Sequence, residues 1–287
     1  MNGIEPAKSE KKPGRGHFFC EKAPLFVMVV GTFFITVVYP LMGIAGQGII
    51  RQVLPQLDKD VMEAFCIAVS SFLFLWLFKR WFAPDWQGVL RLHVPLRDVL
   101  RWSVPLWVFL GISILLEGVD NGFFFRLTLI IVAMSACAGF FEEAVFRIFT
   151  IAIGMRFLSG EKRVWWSLVV SSVVFGLSHC CNVLGGAPME TAIHQAIHSV
   201  LFGLYMGALA LRTGSYWPTA ILHTLYDALA MSTTPGVIDG VMHDTPGVTS
   251  YIELVMMLFP AWYGVNMVKK YKTEILALWD RKWGRVS

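Results

Sequence analysis

The chain has 287 residues, of which 56% are hydrophobic and only 15% are charged, and its mean hydropathy is +0.60. An average soluble domain is about 45–50% apolar and 25% charged, so a water-soluble fold could not bury this much apolar surface. The net charge of +4 does not predict nucleic-acid binding, because the basic residues lie at the ends of apolar runs and form no interleaved patch.

Eight apolar runs follow one another along the chain, and the third is the shortest. Each membrane crossing needs about 20 predominantly apolar residues. The sequence therefore predicts an all-α, polytopic membrane bundle of about eight transmembrane helices. The runs cover residues 25–45, 62–78, 102–116, 127–151, 164–181, 193–211, 217–231 and 252–268.

These runs predict one membrane-embedded domain at residues 25–268, between an amino-terminal tail at 1–24 and a basic tail at 269–287. With eight alternating spans, 20 of the 24 lysines and arginines fall on the side of the amino terminus and only three on the opposite side. Cytoplasmic segments carry the excess of Lys and Arg in membrane proteins. We therefore expect a multi-pass protein of the cell inner membrane with both termini cytoplasmic.

The fourth apolar run contains three ionisable residues, Glu142, Glu143 and Arg147. Burying such a group inside a membrane helix costs about 2.5–3.5 kcal/mol on insertion scales, so each needs a partner or a function. Glu143 and Arg147 are four residues apart and share a helix face, whereas Glu142 points about 100° away. A purely structural pair, with Glu142 at the cytoplasmic interface, is one interpretation of this motif alone.

Three further polar groups in later runs favour a function over that structural interpretation. The fifth run ends in His179, and the seventh carries His223 and Asp227 at a spacing of four residues. Peptide hydrolysis needs a base to activate water, a donor to the developing oxyanion and a proton for the leaving amine. Glutamates and histidines from three helices can supply these groups without a serine or cysteine nucleophile.

The sixth run contributes a second histidine pair, His194 and His198, and two glycines at GxxxG spacing, Gly203 and Gly207. Glutamates and histidines are possible zinc ligands, and this pair could extend a metal site. The HExxH signature is absent, however, so we expect no metal ion and no cofactor. We interpret the histidine pair as packing or pore-lining residues and the glycines as a site of close helix packing.

The three polar motifs occur in a fixed order: Glu142-Glu143-x-x-x-Arg147, then Phe175-x-x-x-His179, then His223-x-x-x-Asp227. They resemble the motifs of the CPBP family of intramembrane glutamic endopeptidases, also called the type II CAAX prenyl endopeptidase or Abi family. The stretch Thr213-Gly214-Ser215-Tyr216-Trp217-Pro218 resembles that family's approach to its third motif. The resemblance covers residues 125–232, the predicted catalytic core.

The resemblance implies that Glu142 is a general base acting with His179 on a water molecule, and that Glu143 and Arg147 support the site. It implies that His223 and residue 227 form the oxyanion-binding side. Many members of the family have Asn at this last position, and an ionised Asp227 cannot donate a hydrogen bond. Asp227 is therefore either protonated by burial or an acceptor that orients the ring of His223.

The resemblance also implies a substrate class, a membrane-associated protein or peptide. Prenylated CAAX proteins, bacteriocin precursors and carboxy-terminal sorting tails are all substrates within the family, and the sequence does not select among them. The bilayer itself is the other expected partner. Two different functions use the same residue types: a proton-coupled transporter, and a non-catalytic immunity or assembly factor. A rhomboid-like serine mechanism lacks its context, because Ser178 adjoins His179 and lies in no Gly-rich turn.

Overall fold

The computed structural model describes residues 16–81, 91–233 and 245–282. The ends of both predicted tails, residues 1–15 and 283–287, lie outside the described residues. Helices occupy nearly all of the described chain, which contains no strand. They are α1 (His17–Lys22), α2 (Pro24–Phe26), α3 (Thr32–Val53), α4 (Lys59–Trp81), α5 (Leu96–Asn121), α6 (Leu129–Glu143), α7 (Ala152–Phe157), α8 (Arg163–His179), α9 (Met189–Thr213), α10 (Trp217–Thr233), α11 (Val248–Lys270) and α12 (Lys272–Lys282).

The prediction of an all-α membrane bundle is confirmed. Each of the eight apolar runs lies in helical structure apart from the first two residues of the fourth, and five helices of the described chain are long and apolar enough to cross a membrane. Shorter apolar helices accompany these five, so the total of eight crossings stays a prediction. The five spans are Leu96–Asp120, Leu129–Phe157, Arg163–Leu184, Met189–Thr213 and Val248–Lys270.

The helix ends follow local sequence chemistry. Thr128 precedes α6, and its hydroxyl accepts the backbone N–H of Ile131 at 3.2 Å, which satisfies one free donor at the helix start. Helices α5 and α9 end at Gly122 and Gly214, whose φ angles of +66° and +61° favour glycine because it has no Cβ. These two glycines therefore mark the ends of the helices that contain the third and sixth apolar runs.

A π-helical segment, Ala144–Ile151, joins α6 to α7 without a break in the span. Every residue of this segment is buried, including Arg147. Its widened turn is visible where the Thr150 hydroxyl donates to the backbone carbonyl of Val145, five residues earlier, at 3.0 Å. Single π-helical turns inside α-helices are frequent at functional sites. Here the change of helix type begins directly after Glu142 and Glu143.

Small residues bring the helices that carry the three motifs close together. A Cβ on Gly139 of α6 would lie 2.9 Å from the backbone nitrogen of Thr224 in α10, so only glycine permits this approach. A Cβ on Gly203 of α9 would lie 3.0 Å from Cα of Ser172 in α8, which supports the predicted close packing at the GxxxG spacing. Gly139 lies about one helical turn before Glu143, and Thr224 directly follows His223, so this contact sets the separation of Glu143 and His223.

The carboxy-terminal helix α12 packs against α7, α8 and α9 and is not a free tail. Arg163 donates two hydrogen bonds to the carboxylate of Asp280, at 2.8 and 2.7 Å. The indole N–H of Trp279 donates to the carbonyl of Leu211 at 2.9 Å, and Lys282 donates to the carbonyl of Gly214. Helix α12 therefore covers the turn that leads from α9 into α10.

Candidate active site

The first motif contains a buried ion pair. Arg147 Nε lies 3.2 Å from Glu143 Oε2, and both side chains are almost completely excluded from solvent, with 1% and 0% exposure. Arg147 also donates to the hydroxyl of Ser171 at 3.3 Å, and its guanidinium lies 5.2 Å from the centre of the Phe175 ring. The side chain of Arg147 is thus held by α8 as well as by its own helix.

His223 from α10 lies between the two glutamates of the first motif. Its Nδ1 is 3.0 Å from Glu143 Oε1, and its Nε2 is 3.5 Å from Glu142 Oε2. A carboxylate can only accept, so the short contact places a proton on Nδ1 and leaves Nε2 directed at Glu142. The first and third motifs are therefore in direct contact.

Asp227 faces the same nitrogen of His223 as Glu142 does. Its Oδ1 lies 3.7 Å from Nε2, which is within ion-pair range but longer than a hydrogen bond. Polar groups at this separation can be bridged by a water molecule. Three acidic side chains thus surround two groups able to carry positive charge, Arg147 and His223.

His179, at the end of α8, joins the cluster through the ring of Phe175. Its Nδ1 lies 3.0 Å from the carbonyl oxygen of Phe175, so Nδ1 carries the proton and Nε2 keeps a free lone pair. The Phe175 ring centre lies 4.9 Å from the ring of His179 and 5.9 Å from the ring of His223, both edge to face. Residues of all three motifs therefore contact Phe175.

Solvent exposure divides the acidic residues into two kinds. The side chains of Glu142 and Asp227 are 29% and 26% exposed, whereas Glu143 is fully buried. The side chain of His223, which contacts both Glu142 and Glu143, is 5% exposed. Glu142 and Asp227 therefore face the accessible side of the cluster, and Glu143 forms its interior wall.

The second histidine pair contacts other residues of the bundle. His194 Nε2 is 3.0 Å from the carbonyl oxygen of Ser250 in α11, and the His198 ring stacks on Tyr226 with 6.1 Å between ring centres. Within residues 16–81, 91–233 and 245–282, no group of three or more His, Cys, Asp or Glu side chains is arranged to hold a metal ion.

Two residues beside the cluster, Ser171 and Tyr216, were not among the predicted site residues. The Ser171 hydroxyl, which accepts from Arg147, donates in turn to the carbonyl of Phe146 at 2.8 Å. The Tyr216 hydroxyl donates to the carbonyl of Phe140 at 2.6 Å, and burial raises the pKa of Tyr216, so this hydroxyl stays protonated. Ser171 lies four residues before Phe175, so the two share a face of α8. This spacing is the sequence feature that could have identified Ser171 as a neighbour of the cluster.

A comparison with protein-family models finds a match in this part of the chain. Residues 124–229 match the Rce1-like family, described as type II CAAX prenyl endopeptidase Rce1-like. This confirms the resemblance predicted from the three motifs and supports a CAAX-type intramembrane protease in general. No curated protein and no solved structure gives a significant match.

Proposed function

We propose that the protein is a glutamate-dependent intramembrane endopeptidase that hydrolyses a peptide bond of a membrane-associated protein or peptide. The observation that carries the proposal is the position of His223, with one ring nitrogen on buried Glu143 and the other facing accessible Glu142. The Rce1-like match over the same segment supports the peptidase class.

Glu142 is the general base in this proposal. It is the accessible glutamate of the pair, and Glu143 is neutralised by Arg147 and is already hydrogen-bonded to His223. Glu142 takes a proton from a water molecule, and the resulting hydroxide adds to the peptide carbonyl carbon. His179, whose Nδ1 faces a backbone carbonyl, offers the lone pair of Nε2 as a second acceptor that orients this water.

His223 stabilises the charge that develops on the carbonyl oxygen. With Nδ1–H donating to Glu143, a proton on Nε2 makes the ring an imidazolium that can donate to the oxyanion. The carboxylates of Glu142, Glu143 and Asp227, at 3.5, 3.0 and 3.7 Å, are close enough to compensate this positive charge. Glu142 then returns its proton to the leaving amine as the C–N bond breaks, so the cycle ends with a carboxylic acid and an amine.

Glu143 and Arg147 position the reacting groups and do not touch the substrate in this proposal. Glu143 fixes the orientation of the His223 ring, and the guanidinium of Arg147 compensates the charge of the buried Glu143 carboxylate. Asp227 is an electrostatic partner of His223 on the accessible side, since 3.7 Å is too long for a hydrogen bond.

The protein is an integral membrane protein. We propose that it lies in the cell inner membrane with both termini in the cytoplasm, because 20 of its 24 lysines and arginines fall on that side of the predicted spans. The substrate is proposed to be a prenylated protein or a protein with a carboxy-terminal sorting tail.

Mass spectrometry of membrane-protein termini tests this function and identifies the substrate in the same experiment. Membranes that contain the active protein are compared with membranes that lack it. The proposal predicts new carboxyl termini, with matching shortened or released peptides, only in the first sample. Identical sets of termini would contradict it and would favour a non-catalytic factor or a transporter, and a proton-flux assay in liposomes separates these two.

A further inference from the structure

A small cavity lies beneath α12, behind the buried ion pair of Glu143 and Arg147. It is large enough for about one water molecule. Its walls come from the π-helical segment, from α9, from the turn before α10 and from α12. Residues that line it include Arg147, Ile148, Ala210, Ser215, Tyr216 and Trp279.

Two buried polar groups of this wall have no protein partner. The Nη2 of Arg147 and the Oγ of Ser215 make no hydrogen bond within the described chain, although their residues are only 2% and 4% exposed. Arg147 does use Nη1, which donates to Ser171. Buried donors without a partner are rare in folded proteins, and ordered water commonly satisfies them.

The chemistry of the wall favours water over an ion. The charge of Arg147 is compensated by Glu143 at 3.2 Å, so the cavity offers an anion no net positive charge. A cation would face the N–H donors of a guanidinium and the methyl groups of Ile148 and Ala210. A neutral water molecule can accept a hydrogen bond from Arg147 and can also donate to or accept from the hydroxyl of Ser215. Water therefore fits this wall better than an anion or a cation does.

We propose that this cavity binds a water molecule between Arg147 and Ser215, and that this water joins the buried glutamate–histidine cluster to the basic end of the bundle. On its inner side Arg147 contacts Glu143, which bonds His223. On its outer side the cavity is lined by Trp279 of α12, and Lys282 of the same helix donates to the carbonyl of Gly214. The catalytic part of this inference rests on the proposed function, whereas the binding of water does not.

Radiolytic hydroxyl labelling of the full chain in detergent tests the water site. Short X-ray exposure turns bound water into hydroxyl radicals, which modify adjacent aromatic rings even where bulk solvent cannot reach. Trp279 is 4% exposed and lines the cavity, whereas Trp102 is 7% exposed and does not. We expect Trp279 to be modified several-fold faster than Trp102. Equal or slower modification of Trp279 would overturn the proposal.

Two variants test the same site by volume and by hydrogen bonding. Ala210→Leu fills the cavity and should reduce labelling of Trp279 to the rate of Trp102. Because added volume in a packed core can destabilise a protein, Ser215→Ala provides a second test that removes one partner of the water and leaves the space. It should also reduce labelling, and Ser215→Thr, which keeps the hydroxyl, should restore it. Native-like labelling in a folded Ser215→Ala variant would contradict the assignment.

Cleavage kinetics test whether the water supports catalysis. We expect Ser215→Ala to lower kcat several-fold with KM unchanged, because the water acts through Arg147 on the orientation of Glu143 and His223. A native kcat in Ser215→Ala would show that the water does not support catalysis. The labelling result would still show whether the water is bound. Absence of cleavage by the native protein would instead contradict the proposed function, and the labelling experiment would remain valid.

Discussion

His223 bridges Glu142 and Glu143 through its two ring nitrogens, at 3.5 and 3.0 Å. Adjacent glutamates on a regular helix point about 100° apart, yet both reach the same imidazole here. One of them, Glu143, is buried with Arg147, and the other, Glu142, is accessible. This difference in surroundings assigns the two carboxylates different tasks in the proposed reaction.

The Glu143–Arg147 pair should show strong energetic coupling. Removing one partner of a buried ion pair leaves the other charge uncompensated, at a cost of about 3–5 kcal/mol. We expect Arg147→Gln and Glu143→Gln each to lower the free energy of unfolding by that order, and the double variant to lose less than the sum of the two. Unfolding in SDS–detergent mixtures measures all four proteins.

Arg51→Gln is the matched control for this cycle, because Arg51 lies exposed at the end of α3. It should change the free energy of unfolding by less than about 1 kcal/mol. Strict additivity of the Glu143 and Arg147 substitutions would show that the pair contributes no coupling and would remove the basis for its proposed positioning role.

His223 and Asp227 should differ sharply in their effect on cleavage. Loss of an oxyanion donor lowers kcat by a factor of about 10²–10³. We expect the kcat of His223→Ala to be lower than the native value by that factor. Asp227 is partly exposed and lies 3.7 Å from His223, a contact worth less than about 1 kcal/mol. Asp227→Asn should therefore keep kcat within about tenfold of the native value. Initial rates on an identified substrate provide the comparison.

His194→Ala controls for the loss of an imidazole, because His194 contacts a carbonyl of α11 and not the cluster. It should cleave at close to the native rate. If Asp227→Asn loses activity as completely as His223→Ala, Asp227 has a direct role in the chemistry that its distance from His223 does not suggest.

The polar motifs and the fold class could be predicted from the sequence because burying charge in a membrane is costly and makes such residues conspicuous. The i, i+4 spacing was enough to pair Glu143 with Arg147, and their contact at 3.2 Å agrees. The partner of Glu142 could not be predicted, since it depends on how α6 and α10 approach one another at Gly139.

The π-helical segment was likewise beyond sequence reasoning, because Ala144–Ile151 has the same apolar composition as an ordinary helix. Nor did the predicted basic tail at 269–287 indicate that part of it would form a helix packed on the bundle. Its buried face consists of Ile275 and the two residues that follow it by three and four positions, Leu278 and Trp279. That spacing is typical of one face of a helix.

The ion pair between Arg163 and Asp280 should hold α12 on the bundle. Both oxygens of Asp280 accept from Arg163, and the two side chains are 8% and 20% exposed. Charge-assisted pairs of this kind contribute about 1.5–3 kcal/mol. We expect Asp280→Asn to increase amide hydrogen exchange in α12 while exchange in α8 is preserved. Unchanged exchange in both helices would show that the apolar contacts of α12 suffice.

Chelation should leave cleavage unaffected. The proposed mechanism activates water with the side chains of Glu142 and His179 and uses no metal ion, so overnight dialysis against EDTA or 1,10-phenanthroline should not alter the initial rate. The control is a zinc peptidase treated in parallel. Loss of cleavage that is restored by added Zn²⁺ would establish the metallopeptidase alternative, with histidines and glutamates of the cluster as ligands.

The most direct test of the central claim is the cleavage rate of Glu142→Gln in reconstituted membranes, beside the native protein and Glu190→Gln. Glu190 is an exposed glutamate of α9 that bonds Tyr251 at 2.6 Å. Removing a general base typically costs about 10²–10⁴-fold in rate. We predict a loss in that range for Glu142→Gln, with native melting behaviour, and full activity for Glu190→Gln. Native cleavage by Glu142→Gln would contradict the account.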